Sequence, residues 1–421
     1  MRYWKKYSSK DLAEKIDASL LKNINFSNDI ALGYPASKLN EKVFYGDAPF
    51  LKDAPLLRTY VANPNHIGCH TLGKSEGAFR GTHELEKELL NVLAVDIFKS
   101  EPDAFDGYVA TGGTEANIQA LWIYRNHFVN KLEASFSEIS IVASEDTHYS
   151  IPKGANLLGI DLIAVPVDFE TRIIDKKVLI NYVTTAKENG KKYFIVVSNM
   201  ATTMFGSVDD PNLFATVLTD LKVDFKIHID GAFGGFIYPF SKGEISIDFD
   251  NQHIDSIAID AHKMPQAPYG TGIFMCRKNL IENVLTKEAH YVNGMDLTLC
   301  GSRSGANALA VWMILFSYGP HKWFEKISII LMRTKWLCEQ LDALKIGYYR
   351  HANMNIVTMK SKGIPKEIAK KFDLVPDTHN SNHTWYKIVL MDHVELDHLE
   401  QFINALKQSQ LVQTHLLRSF L

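Results

Sequence analysis

From about residue 105 the chain alternates short, wholly apolar runs with longer amphipathic ones. The runs 139–143, 162–167, 193–197, 226–229, 256–259 and 272–276 are rich in β-branched or aromatic residues and have strand length. Helix-length stretches, 114–129, 175–188 and 211–221, lie between several of them. Apolar strands alternating with helices predict an α/β fold with a largely parallel sheet covered on both faces. In such sheets a ligand sits beyond the carboxyl ends of the strands. Chemistry is therefore expected just after each apolar run, where polar residues and glycines cluster.

Outside this region the pattern is less regular. The first 45 or so residues are mixed and punctuate poorly, and residues 60–81 (ending NHIGCHTLGKSEGAFRG) read as an irregular loop. A helix follows, with Thr82 as its expected N-cap and Leu85, Leu89, Leu90 and Leu93 on one face. After helical stretches at 307–318 and 322–344, the segments 355–359, 365–372, 386–390 and 395–407 read as strand, helix, strand, helix. The expected organisation is an N-terminal segment, 1–45, a large domain, 46–318, and a small C-terminal α+β domain, 319–421.

Composition narrows the function classes. With 421 residues, 46% hydrophobic and 22% charged, the chain can bury a substantial core and is not a disordered or fibrous sequence. Forty-five basic against 48 acidic residues give a net charge of −3, which favours neither nucleic acid nor a membrane surface as partner. No apolar run approaches the roughly 20 residues of a membrane span, and no secretory leader is evident, so a cytoplasmic location is expected. Cys69, Cys276, Cys300 and Cys338 are far apart, with no CxxC pair and no zinc spacing, so no metal is expected.

Several segments carry candidate chemistry. In IAIDAHKMPQAPYGTGIFMCRK, Lys263 follows an apolar strand with His262 before it. It either snorkels to the sheet edge or is an amine of lowered pKa, suited to forming a Schiff base. In FKIHIDGAFGGF, Asp230 ends a strand and small residues follow, Ala232 among them. It either caps a turn or holds a proton on a heteroaromatic nitrogen approached closely over the small residues, as pyridoxal phosphate requires.

In GYVATGGTEAN, Gly113 and Thr114 open a helix at a strand end, an ordinary turn or a phosphate cup. The spacing matches neither common nucleotide-binding glycine pattern. His148 follows a strand and is either a loop residue or a group that stacks on a ring or transfers protons. Thr202 and Thr203 after another strand, and GSRSG at 301–305, have turn and N-cap readings.

Taken together, GGTEAN, a histidine after the next strand, ATT, HIDGAFGG, DAHK and GSRSG occur in an order that resembles the pyridoxal-phosphate-dependent group II decarboxylases. The resemblance runs from about residue 63 to 305 and is nearest to the archaeal-type tyrosine/aspartate decarboxylases, with glutamate decarboxylases and sphingosine-phosphate lyases as cousins. It implies the fold type I architecture of the aspartate aminotransferase superfamily.

It also implies roles. Lys263 would hold the cofactor's aldehyde, with His262 touching the phosphate. Asp230 would pair with the pyridine nitrogen, between Ala232 on one ring face and His148 on the other. Gly113 and Thr114 would hold the phosphate, Thr203 would lie near the ring substituents, and Ser302 would reach the site of a second copy in a homodimer. Gly231 and Ala201 depart from the family's frequent alanine and glycine.

The implied reaction is decarboxylation of an acidic or aromatic L-amino acid to its amine, with a carbon–carbon lyase or an aminotransferase as alternatives. Tyr291 is a candidate proton donor or simply an interface aromatic. Arg58, Arg80, Arg303 and Arg350 are possible carboxylate anchors. His66, Cys69 and His70 either line the substrate end, form a turn, or falsely suggest a metal cluster.

Overall fold

The computed structural model describes residues 4–23, 47, 49–72, 77–241, 243–287, 295–380 and 382–419, with side chains described to residue 411. The helices in chain order are α1 (Ser9–Leu20), α2 (Pro55–Ala62), α3 (Arg80–Asn91), α4 (Gly113–Leu132), α5 (Ser150–Leu158), α6 (Lys176–Glu188), α7 (Pro211–Asp220), α8 (Gly305–Ala343), α9 (Lys366–Lys371) and α10 (Leu396–Ser419). Strands β1 (Asn65–Ile67) and β2 (Phe105–Ala110) precede β3 (Ile139–Ser144), β4 (Asp161–Val165), β5 (Tyr193–Asn199), β6 (Asp224–Gly231), β7 (Ile254–Asp260) and β8 (Gly272–Arg277). Then come β9 (Ser302–Ser304), β10 (Tyr348–Tyr349), β11 (Ile356–Lys360), β12 (Val375–Pro376) and β13 (Trp385–Val389).

Seven strands form the main sheet in the order β2-β8-β7-β6-β5-β3-β4. All neighbours are parallel except β8, which runs against both β2 and β7. Apart from the edge strand β4, whose side chains are mostly exposed or half-buried, the strands largely bury both faces, and their side chains alternate between two apolar layers. On β3, Val142 joins one layer while Ile141 and Ala143 join the other; on β5, Phe194 and Val196 oppose Ile195 and Val197. This is the double burial that the continuous apolar runs call for. Because β8 reverses, β2 ends on the same edge as β3, β5, β6 and β7. The motif residues following those strands therefore meet at one rim.

Four short strands, β10-β11-β13-β12, make a second, antiparallel sheet with α9 and α10, as the C-terminal pattern predicts. The two helical stretches at 307–318 and 322–344 are one long helix, α8, broken at Gly319. Pro320 has no N–H to continue the ladder, and Gly319 takes a left-handed φ of 64°.

Two expectations need correction. Thr82 is not an N-cap: α3 begins at Arg80, and Thr82 Oγ1 instead lies 3.1 Å from the Phe79 carbonyl and 2.9 Å from His66 Nε2. The N-terminal segment contains α1, whose capping box between Ser8 and Asp11 was a signal the sequence did contain. No helix among the described residues is long and apolar enough to cross a membrane.

Candidate active site

The rim of the main sheet opens into a cleft of about 470 Å³, lined among others by Gly113, Thr114, His148, Ala232, His262 and Lys263. A comparable hollow of about 500 Å³ beside β4 and α6 contains the Lys191–Asp161 ion pair. Volume does not distinguish the two; the convergence of titratable groups does.

Each wall follows from a strand end. After β2 the chain turns through Thr111 and Gly112 into α4, so the N-terminus of a 20-residue helix points into the cleft. The turn touches β8 backbone to backbone: a Cβ on Gly272 would stand 2.3 Å from the Gly112 carbonyl carbon. After β7, Asp260 Oδ2 accepts from Gly113 N at 3.0 Å, and its Oδ1 stands 2.7 Å from His262 Nδ1. Burial raises the Asp260 pKa, and His262 opposes that rise. This buried carboxylate ties the glycine turn to the loop that carries Lys263.

Asp230, at the end of β6, is only 5% exposed. Its Oδ1 accepts from Ala232 N at 3.1 Å and its Oδ2 from Asn117 Nδ2 at 2.8 Å. His148 enters from the turn between β3 and α5. Ser150 N–H donates to His148 Nδ1 at 3.3 Å, with Ser150 Oγ also 2.9 Å from that nitrogen. A backbone N–H can only donate, so Nδ1 is the bare nitrogen of the neutral ring and Nε2 carries the proton. Burial lowers the His148 pKa, Asp230 opposes that, and Lys263 lowers it further.

The structure thus brings together Gly113, Thr114, His148, Ala232, His262 and Lys263, with Asp230 just behind. Thr203 and Ser302 are exposed and lie outside the lining. Thr203 sits on the turn after β5, where its carbonyl accepts from Lys387 Nζ at 2.8 Å; Ser302 is on β9, opposite Ile67. Tyr291 is outside the described residues. Lys387 had no signal in the sequence; it comes from β13, and its pKa is lowered by burial and by nearby Lys263.

The donor set fits pyridoxal phosphate. A helix N-terminus suits its phosphate, a buried carboxylate its ring nitrogen, an amine its aldehyde, and a small residue facing an imidazole its flat ring.

The candidate anchors fare differently. Arg58 pairs with Asp17, and Arg350 bonds the Met354 and Ala352 carbonyls. Arg80 is exposed on the first turn of α3. Arg303 is buried: Nη1 donates to Glu86 Oε1 at 2.7 Å and to the Val109 carbonyl at 2.9 Å, and Nη2 to the Gly68 carbonyl.

Around Glu86 lie His66, His70 and His83, whose potential ligand atoms fall within 4.8 Å of one another. Cys69 joins the wall nearby, its thiol raised to about 11 by burial. His66 uses both ring nitrogens, towards Glu86 at 2.6 Å and Thr82 at 2.9 Å. His70 and His83 stack at 3.7 Å and 21°, which runs their in-plane lone pairs side by side. The Arg303 cation already occupies the carboxylate.

Burial depresses all three imidazoles, His83 to about 3, while the Arg303 and His66 interactions hold Glu86 well below the usual carboxylate range despite burial. The unfolded chain therefore takes up protons first as pH falls. Stability from these histidines is complete above roughly pH 6.5, the ordinary value, and drains as pH falls toward the native values; Glu86 adds to the loss below about 4.5. The urea midpoint is expected to fall between pH 7.5 and 5 by the equivalent of at least about 2 kcal/mol, with unchanged slope. A flat profile would contradict neutral buried rings.

Comparison with known proteins agrees with the geometry. Residues 66–345 match the family described as pyridoxal-dependent decarboxylase conserved domain. The chain is 54% identical to a tryptophan decarboxylase of Clostridium sporogenes, over 97% of this chain and 98% of that one. It is 30% identical to an L-aspartate decarboxylase of Thermococcus kodakarensis, covering 79% and 84%. Among solved structures, L-methionine decarboxylase from Streptomyces sp. 590 superposes with a TM-score of 0.70 at 20% identity, over 82% and 87% of the two chains, a likeness of fold.

Proposed function

The chain belongs to the pyridoxal-dependent decarboxylase family and is a pyridoxal-phosphate-dependent amino acid carboxy-lyase; on that premise we propose that its substrate is L-tryptophan, released as the amine and carbon dioxide. The observation that carries this is the 54% identity to a tryptophan decarboxylase across nearly the whole chain. The cleft supports it. Its described lining includes Ile118, Tyr149 and Leu299 but no arginine, and Arg58, Arg303 and Arg350 are engaged elsewhere. An acidic side chain would lack the bidentate partner it favours, whereas an indole gains from burying apolar area.

In this reading Lys263 Nζ is the amine that would hold the cofactor aldehyde. Gly113, Thr114 and His262 hold the phosphate. Asp230 would accept a hydrogen bond from the ring nitrogen and so keep it protonated, with Ala232 and His148 as the residues that would hold the ring. When bound, the cofactor supplies the sink for the electron pair left by the departing carboxylate. With Nδ1 occupied by Ser150, the His148 Nε2–H is the edge free to meet ligand. Incubation with tryptophan, tyrosine, aspartate and glutamate, reading both carbon dioxide and amine, tests the assignment. Tryptophan is expected to exceed the acidic pair by at least about 100-fold in kcat/KM, since an unpaired buried carboxylate is that costly. Faster release from aspartate would overturn it.

A homodimer completes the site in this proposal. Tyr149 (63% exposed), Tyr269 (85%) and Leu299 (44%) rim the cleft mouth, an apolar surface that a second copy would cover. Sedimentation should find a dimer at micromolar concentration. Tyr269→Asp should weaken it and its cofactor retention together, and a fully active monomer would rule the shared site out.

A further inference from the structure

From Asn117 on the inner wall of the cleft runs a buried polar chain of which the chemistry above uses only Asp230. Asn117, on the second turn of α4, is 1% exposed and has every amide position engaged. Its Nδ2 donates to Asp230 Oδ2 at 2.8 Å and to Ser150 Oγ at 2.9 Å, and its Oδ1 lies 2.9 Å from His228 Nε2. The other ring nitrogen of His228 lies 2.7 Å from Ser256 Oγ, which Tyr124 OH also reaches.

The direction of every hydrogen in this chain follows from one end. An ionised carboxylate only accepts, so the Asn117 amide must present nitrogen to Asp230 and oxygen to His228. His228 must then donate from Nε2 and accept at Nδ1, from Ser256. Ser256 in turn accepts from Tyr124. Burial pushes His228 down to about 4, so the ring is neutral, as these roles require.

The fold supplies the alignment. His228 and Asp230 are two residues apart on β6 and share a face. Asn117 and Tyr124 are two turns apart on α4. A register shift between β6 and β7 at Ile227/His228 sets His228 opposite Ser256, and Asp255 covers the irregularity by accepting from Ile227 N at 2.9 Å.

We propose that Asn117, held in orientation by His228, is the positioning residue for the two groups that face the cofactor ring, fixing Asp230 directly and His148 through Ser150. The link to Ser150 matters because the hydroxyl, receiving a hydrogen from Asn117, is left to give its own to His148 Nδ1. One amide thereby joins the group at the ring edge to the group on the ring face. His228 touches neither cofactor nor substrate and acts only through Asn117.

This inference rests on the reading that Asp230 meets the ring nitrogen, and the test separates the two. The holoenzyme is loaded with pyridoxal phosphate labelled with 15N in the ring, whose resonance reports whether that nitrogen carries a proton. Cofactor affinity is measured in parallel by fluorescence titration of the apoprotein. Asn117→Ala should shift the resonance toward the unprotonated position and weaken affinity about tenfold or more, the value of one hydrogen bond to a charged group. His228→Leu should do the same more weakly, His228→Gln, which can keep a donor near Nε2, should restore both readouts, and His228→Leu should add nothing in the Asn117→Ala background.

A merely structural role would lower apoprotein melting temperature and leave the ring resonance in place, and that result overturns the proposal. So does an undiminished His228→Leu effect in the Asn117→Ala background. If Asp230→Asn leaves the resonance unchanged, the reading of Asp230 fails and the proposal with it. If Asp230→Asn shifts the resonance and Asn117→Ala does not, only the role of Asn117 fails. Should Asn117→Ala not fold, Asn117→Ser, which loses the amide but keeps a polar group, is held to the same outcomes.

Discussion

Lys263→Ala is expected to reduce decarboxylation by at least about 10⁴-fold, because it removes the nucleophilic amine on which covalent catalysis depends. The position of that amine is forced. β7 ends at Asp260, β8 begins at Gly272 and runs back beside it, and the connecting loop must cross the rim where β2, β3 and β6 also end. The loop is pinned by Asp260 to Gly113, and the Ala261 amide donates to the Thr271 carbonyl at 2.9 Å. Among the described residues, Lys263 Nζ makes no hydrogen bond or ion pair within the protein. Its removal should therefore leave the fold intact, which circular dichroism and the melting temperature will show. Borohydride reduction of the wild-type holoenzyme followed by peptide mapping should place the cofactor on Lys263, and the variant should yield no such peptide. An adduct elsewhere, or a tenth of wild-type turnover in the variant, would defeat the assignment.

Arg303→Leu is expected to destabilise the protein by about 3–5 kcal/mol, the usual cost of stranding one member of a buried ion pair. Glu86 has a fully buried side chain, and its Oε1 takes both the Arg303 guanidinium at 2.7 Å and the Val109 amide at 2.8 Å. Removing the cation leaves a desolvated carboxylate and frees the Val109 and Gly68 carbonyls that Arg303 also satisfies. The guanidinium further lies 5.0 Å from the centre of the Tyr108 ring. Urea unfolding measures the loss directly. The double variant Glu86→Gln/Arg303→Leu should recover part of it, because the stranded charge is gone. A loss below about 1 kcal/mol for Arg303→Leu would mean that the pair is solvated in solution.

These two residues mark what could and could not be read along the chain. Lys263 stands in a local context, apolar strand, small polar turn, apolar strand, that leaves it either a snorkelling amine or a Schiff-base amine, and only the order of the other motifs chooses between them. Arg303 stood in an equally visible motif, GSRSG, and its role was still open between an N-cap segment and a carboxylate anchor. Ser304 does cap α8, accepting from Asn307 N. The arginine, however, acts across 217 residues on Glu86, through a pairing of β9 with β1 that no local pattern announces. His66 and His70 were legible as a suggestive pair, but their partners Glu86 and His83 lie on α3, which read only as an amphipathic helix.

The same division holds for Asn117 and His228. Both sit inside recognised motifs, GGTEAN and HIDG, beside residues with evident tasks. Nothing in either stretch shows that the two side chains touch.

The amino-acid order alone predicted the class of fold, because buried strands are encoded over short windows, and it pointed to the cofactor and the reaction only through the order of several motifs that resembles a known family. Only the folded chain decided which arginine is structural, which histidines are held neutral, and which amide stands behind Asp230. Those outcomes depend on desolvation and on partners more than a hundred residues away, and burial and long-range contact exist only once the layers have packed.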